Sequence, residues 1–226
     1  MGLASVVAFV LRSRAAAAPL VDPALFRRRG FGLANVAMVL FSTAFGIMLL
    51  ANSLWLQNVW RFSPVVTGLA MAPGPLMVPL TTVVLRRWGT TRAAAVYVIA
   101  GGVLFALGML WGVLLRTPHV DYFGVMLPQL VIGGIGTGLT IGNLLSAGAA
   151  LLPPEQSGAG SGILNTGRQL GASIGVAVLV TALAATHLPV AGYDVAWSIA
   201  ALAGLLTALL AIPLVRLARQ QRRASD

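Results

Sequence analysis

The stretch Gly158–Val178, GAGSGILNTGRQLGASIGVAV, is nearly all small and apolar, yet Arg168 stands inside it with Asn165 and Gln169 close by. On a helix Asn165, Arg168, Gln169 and Ala172 share one face, so a guanidinium and two amides point the same way. These groups donate and accept hydrogen bonds, and they include neither a nucleophile nor a group that titrates near neutral pH. The chemistry they suit is recognition: a planar fork of N–H donors grips a carboxylate, a phosphate or a carbonyl. The plainer reading is an arginine that snorkels its charge to the membrane surface. An arginine within an apolar span generally faces the bundle interior or a water-filled cavity, and two amides on its face favour that reading.

Other polar side chains interrupt apolar runs in a regular way. Asn35, Ser42, Gly46, Ser53 and Gln57 fall on one stripe of a helical wheel, and Gln129, Gly136, Thr140 and Asn143 on another. Such stripes either hydrogen-bond helix to helix or line a wet cavity, and their places in two three-helix units favour the cavity. Arg168, Asn165, Gln169, Asn143, Thr140, Gln129, Asn35 and Ser42 are therefore expected along a solute path. Gly134, Gly138 and Gly142, and likewise Gly167, Gly171 and Gly175, recur every four residues, the small-xxx-small pattern of close helix contact. Pro73, Pro75 and Pro79 each remove a backbone donor from one span and are expected as a kink or a hinge.

The elements that carry these residues follow from composition. The chain has 226 residues, 58% hydrophobic and 9% charged, far below the quarter or so of charged residues in soluble domains. Runs of about 20 apolar residues each suffice to cross a bilayer, and six are present: 33–56, 65–85, 93–115, 122–148, 161–186 and 194–216. The expected fold is all-α, a polytopic transmembrane helix bundle, with spans three and six, which lack polar stripes, facing lipid. Residues 12–32 read as a basic linker and 217–226 as a basic tail. Residues 1–11 read as the end of a membrane helix that starts earlier, so the chain is expected to be the C-terminal part of a longer protein; a short surface helix is the alternative.

All the basic residues are arginines, and they give a net charge of +10. They cluster between spans rather than on one basic face, which argues for topology and against nucleic acid. With the linker in the cytoplasm, twelve arginines lie inside, among them Arg86, Arg87 and Arg92, and only Arg61 and Arg116 lie outside. Both termini are then cytoplasmic. Cysteine is absent and His119 and His187 are far apart, so neither a metal site nor a cofactor is expected. Asp22, Asp121, Glu155, Asp194 and Asp226 lie in loops, tails or span ends. No span interior offers an acid, base or activated nucleophile, so an enzyme is not expected, and a coupling proton would need a group from elsewhere.

Three stretches together resemble the C-terminal half of fourteen-span drug:proton antiporters of the major facilitator superfamily. The first two helices match through Gln57 and Asn58, Ser63, Pro64, Gly68 and Leu69, and Pro73. LRRWGTTR is similar to the family's cytoplasmic loop through Gly89 and Arg92, and residues 133–179 match at Gly136, Gly138, Pro153, Gly158, Ser161, Gly162, Asn165, Arg168, Gln169, Gly171 and Gly175. The resemblance covers about residues 9–216. It implies a six-helix half of a facilitator fold in the cell membrane, with its first and fourth helices lining the cavity. It also implies proton-coupled efflux of small amphipathic compounds by alternating access, with an N-terminal half as partner. The lack of acidic residues in these spans departs from some drug exporters of this branch and speaks against polycationic substrates. The alternative is a half-size, non-transporting membrane protein that pairs through its glycine faces.

Overall fold

The computed structural model describes residues 29–87, 94–186 and 189–225. Within a bilayer every backbone polar group must be satisfied inside the protein, and apolar runs of this length meet that demand as helices. Six stretches of these helices are long and apolar enough to cross a membrane, and the described residues contain no strand. The protein is a multi-pass membrane helix bundle.

Helix α1 (Arg29–Leu54) continues through a π-helical turn, Trp55–Val59. It ends where Trp60 and Phe62 donate back to the carbonyls of Trp55 (3.2 Å) and Leu56 (2.9 Å), and Arg61, with φ 59°, reverses the chain. Helix α2 (Pro64–Met71) starts at a Ser63 cap that accepts from the Val66 N–H. It and α3 (Pro73–Arg87) form one span broken at Ala72. The prolines explain the break. Pro73 and Pro75 have no N–H for the carbonyls of Leu69 and Met71, and Leu69 accepts instead from Ala72, at 3.2 Å. Pro79 stays inside α3.

Helix α4 spans Ala94–Leu115. Asp121 accepts from the Gly124 N–H at 2.8 Å and opens a π-helical turn, Tyr122–Met126, that leads into α5 (Leu127–Ala149). Helix α6 (Pro154–Ala185) begins earlier than its apolar run suggests, because Pro154 at its first position and Glu155 in its first turn favour a helix start. Helix α7 (Pro189–Ser225) carries residues 217–225 without a break. Leu, Ala, Gln and Arg are strong helix formers, and no Gly or Pro follows Pro213 to stop it. The expected residues 1–28 of the N-terminal segment and linker lie outside the described residues.

The helices pack in a fixed order. Helix α1 lies against α6 and α7, α4 against α5 and α7, and α5 against α3. One core joins Phe41, Trp55, Phe105, Met109 and Trp197, and a second, toward the Arg29 end, joins Phe31, Met38, Val98, Leu144 and Leu214. Spans three and six, expected to face lipid, each have two unlike faces. Each does expose one apolar face, with Leu107 and Leu114 on α4 and Leu202 and Leu209 on α7. The other face is tightly packed: a Cβ on Gly102 would meet the Gly204 carbonyl at 2.6 Å, and one on Gly108 the Gly133 nitrogen at 2.9 Å. The least enclosed spans are the second and fifth, with 6% and 22% of their most apolar windows buried against 44% and 50% for the third and sixth.

A candidate solute-binding face

The placement of Arg168 follows from the glycine ladder beside it. A Cβ on Gly171 or Gly175 would collide with the carbonyls of Val39 or Thr43, and one on Gly46 would lie 2.6 Å from that of Ala172. Helix α6 can therefore approach α1 almost backbone to backbone, which turns its opposite side outward. There Arg168 and Gln169 are exposed and Asn165 is half-buried. The Arg168 Nε donates to Asn165 Oδ1 at 3.1 Å, one turn away. That bond orients the guanidinium and leaves both terminal NH₂ groups for a second partner. Among the described residues no carboxylate pairs with it; the one described ion pair is Arg116–Asp194. Because α6 starts at Pro154, Arg168 lies fourteen residues into the helix, about 21 Å along its axis at 1.5 Å per residue.

The polar stripes are placed differently. Asn35 is buried, donates to the Phe31 carbonyl at 3.3 Å and abuts Gly167. Ser42 is buried against Gly171, its Oγ without a partner. Thr140 returns its hydroxyl to the Gly136 carbonyl at 2.8 Å and packs at Gly101. A hydroxyl satisfied within its own turn can be pressed against a neighbouring helix at no polar cost, so this stripe serves as the α4-packing side of α5. The glycine face of α5 packs on α3, where a Cβ on Gly134 would meet the Gly74 carbonyl at 2.5 Å and one on Gly138 would meet Val78 at 3.1 Å; Gly142 faces open space. Asn143 donates to Leu139 at 2.8 Å, is half-buried, and lines a partly polar cavity of about 300 Å³ with Thr82, Tyr97 and Ser146. Arg87 is exposed near that end, Arg86 lies in α3, and Gly89 and Arg92 fall outside the described residues.

Gln129 exposes a residue that the stripes missed. Its Nε2 donates to Asn52 Oδ1 at 3.1 Å, and the Trp197 indole N–H donates to the same oxygen at 3.0 Å. Asn52 is fully buried and joins α1, α5 and α7. It lies off the α1 stripe, so wheel reasoning passed over it; the usable signal was Trp197, whose N–H needs an acceptor once buried. A second cluster closes the Trp60 end. Arg116 pairs with Asp194, donates to the Val190 carbonyl at 2.9 Å and sits 5.6 Å over the Trp55 ring. Of the eight residues expected along a solute path, four (Asn143, Asn165, Arg168, Gln169) are half-buried or exposed and four (Asn35, Ser42, Gln129, Thr140) lie buried within helix contacts. The described residues include no group of three His, Cys, Asp or Glu that could hold a metal.

The comparisons agree with this architecture. The chain is 35% identical over 182 residues to the cephamycin export protein CmcT of Amycolatopsis lactamdurans, covering 80% of this chain and 37% of that protein. It is 31% identical over 178 residues to the multidrug resistance protein Stp of Mycobacterium tuberculosis, covering 78% and 32%. It is 29% identical over 184 residues to the puromycin resistance protein pur8 of Streptomyces alboniger, covering 80% and 36%. The chain thus spans about a third of the length of these relatives. Residues 2–176 match the Major Facilitator Superfamily, and with three quarters of its length in that match, the chain belongs to this family of carriers rather than to a family of enzymes.

Proposed function

We propose that this chain forms the six-helix C-terminal half of a proton-coupled, alternating-access exporter of small amphipathic compounds. Arg168 carries the reading: an arginine without a carboxylate partner among the described residues, fourteen residues into α6, on an exposed face, in a chain whose relatives are named for export and drug resistance. Its free NH₂ groups would hold an anionic or carbonyl group of the solute, with Gln169, Asn165 and, further along, Asn143 offering amide contacts. Asn35, Ser42, Gln129 and Thr140 would act indirectly, by holding the helices that frame the path.

The exposed faces of α2–α3 and α6 would meet the second half, and the two halves would rock about the solute between them. The Arg87 and Arg216 end would be cytoplasmic, following the arginine bias. Protons would be taken up by a group outside these span interiors, since the carboxylates of α6 and α7 lie near the helix starts: Glu155 in the first turn of α6, and Asp194 in the second turn of α7, where Arg116 holds it. The test is efflux from cells that carry the native protein. Arg168→Ala is expected to abolish export at normal membrane abundance, and Arg168→Lys to restore little of it, because an ammonium lacks the planar fork. Full export by Arg168→Ala would remove Arg168 from the path.

A further inference from the structure

The cavity lined by Asn143 lies away from the Arg168 face. It opens between α3, α4 and α5, whereas α6 packs on α1. Its origin is a divergence of two helices. A Cβ on Gly138 would meet the Thr81 Cβ at 3.0 Å and the Val78 Cα at 3.1 Å, and one on Gly142, a turn later, would meet nothing within 4 Å. Helix α3 therefore leaves α5 toward its Arg87 end, and Tyr97 of α4 closes the third side. The volume, about 300 Å³, is at the small end of the range for ligand pockets, about 300–1,000 Å³.

We propose that this cavity holds the headgroup of a membrane phospholipid, a phosphodiester that carries a neutral polyol such as glycerol. No charged side chain lines it; its polar side chains are Thr82, Tyr97, Asn143 and Ser146. Thr82 and Asn143 already donate to the carbonyls of Val78 and Leu139, at 3.1 and 2.8 Å, and keep oxygens that accept. The hydroxyls of Tyr97 and Ser146 have no partner among the described residues. Groups that donate and accept suit a second set of hydroxyls, whereas an ion seated among them would lack a counter-charge. The charge for the phosphate comes from the end of α3, where Arg86 stands one turn past Thr82 and Arg87 is exposed. Arginine grips phosphate through charged N–H donors, and basic pockets between membrane helices suit anionic headgroups.

Level and surroundings select a lipid over a soluble phosphate. Leu85, Tyr97 and Ser146 stand within one turn of the ends of α3, α4 and α5, about 5 Å along each axis. For helices that cross a bilayer, that is the level of the headgroups, where tyrosine is favoured. Val83 and Val84, next to Thr82 and Leu85 on α3, are exposed and apolar. Acyl chains cover such a surface, and a free polyol phosphate would leave it bare.

The test titrates the native protein, delipidated in detergent, with phosphatidylglycerol, phosphatidic acid, phosphatidylcholine and sn-glycerol 3-phosphate, and reads binding by native mass spectrometry. One phosphatidylglycerol is expected to bind at least tenfold tighter than phosphatidylcholine, which has no net charge, and at least fivefold tighter than phosphatidic acid, which has no polyol. Gly142→Leu puts a side chain into the open space and is expected to weaken phosphatidylglycerol at least tenfold while phosphatidic acid stays within twofold. Ser146→Leu takes its place should that variant fail to fold. Tyr97→Phe costs about fivefold, and Arg86→Gln weakens both anionic lipids alike. Equal affinity for phosphatidylglycerol and phosphatidic acid would reduce the site to surface charge and overturn the proposal, as would binding unchanged by filling in a folded variant. Glycerol 3-phosphate bound as tightly as the lipid would make the occupant a soluble phosphate. A tenfold loss of phosphatidylglycerol in Arg168→Ala would put the cavity on the solute path. Either result also overturns it.

Discussion

The membrane-crossing stretches of α4 and α7 are the most apolar among the described residues, whereas α2–α3 carries the prolines of the broken span and α6 carries Arg168. Polarity alone would put the first pair outside and the second pair inside. The structure encloses the first pair more, with 44% and 50% of their apolar windows buried against 6% and 22%. The difference teaches that in a membrane the driving force between helices is close fit, not hydrophobicity. Helices α4 and α7 fit because Gly101, Gly102, Gly108, Gly112 and Gly204 clear one face of each for a neighbour's backbone or side chain. Helix α6 has such a face toward α1 only, and its remaining sides keep the polar groups for other partners.

The largest effect that separates the two regions is expected from bulk on a packed glycine. A side chain at Gly136 would meet the Phe105 nitrogen at 2.5 Å and the Gly101 carbonyl at 2.7 Å. Gly136→Leu is expected to cost about 3 kcal/mol or more and to prevent recovery of folded protein, whereas Gly162→Leu on the open side of α6 lowers neither yield nor melting temperature. Asn52→Leu comes next. It strands the Gln129 amide and the Trp197 indole N–H, both buried, for an expected loss of about 1–2 kcal/mol by denaturant unfolding. Gly162→Ala, with nothing within 4 Å, is expected to stabilise α6 by about 0.5–1 kcal/mol. The smallest effect falls on the partly exposed clasp: Arg116→Gln removes the Asp194 pair for less than about 1 kcal/mol, seen as a shift of a degree or two in melting. Equal sensitivity of Gly136 and Gly162 to leucine would erase the distinction between the regions.

Much of the fold was legible because its signals are long. Six apolar runs, the prolines of the second span and, apart from Gly142, the four-residue glycine ladders correspond to described helices, a break at Ala72 and close helix contacts. The limits lay at two points. A helical wheel marks which residues share a face and leaves open which neighbour the face meets, so the α5 stripe of Gln129 and Thr140 pointed equally to a cavity and to α4. Threonine hydroxyls that bond their own turn are polar in sequence and nearly apolar in packing. Asn52 was missed for the converse reason: it stands alone on its face, and its meaning depends on Trp197, 145 residues away. For Arg168 the sequence supplied the residue and its amide neighbours, and its distance from the helix start depended on a boundary set by Pro154 rather than by hydropathy.

The most direct test of the account compares the exposed faces of α6 and α7 in the native protein in a bilayer. A nitroxide attached through Gln169→Cys, and separately through Leu209→Cys, is probed by collision with oxygen, which concentrates in lipid, and with a water-soluble nickel chelate. The account predicts that the label at 169 collides more with the chelate and that at 209 with oxygen, because α6 faces a wet path and a second half while α7 faces lipid. A label at 169 as rich in oxygen collisions as that at 209, and as poor in chelate collisions, would contradict it.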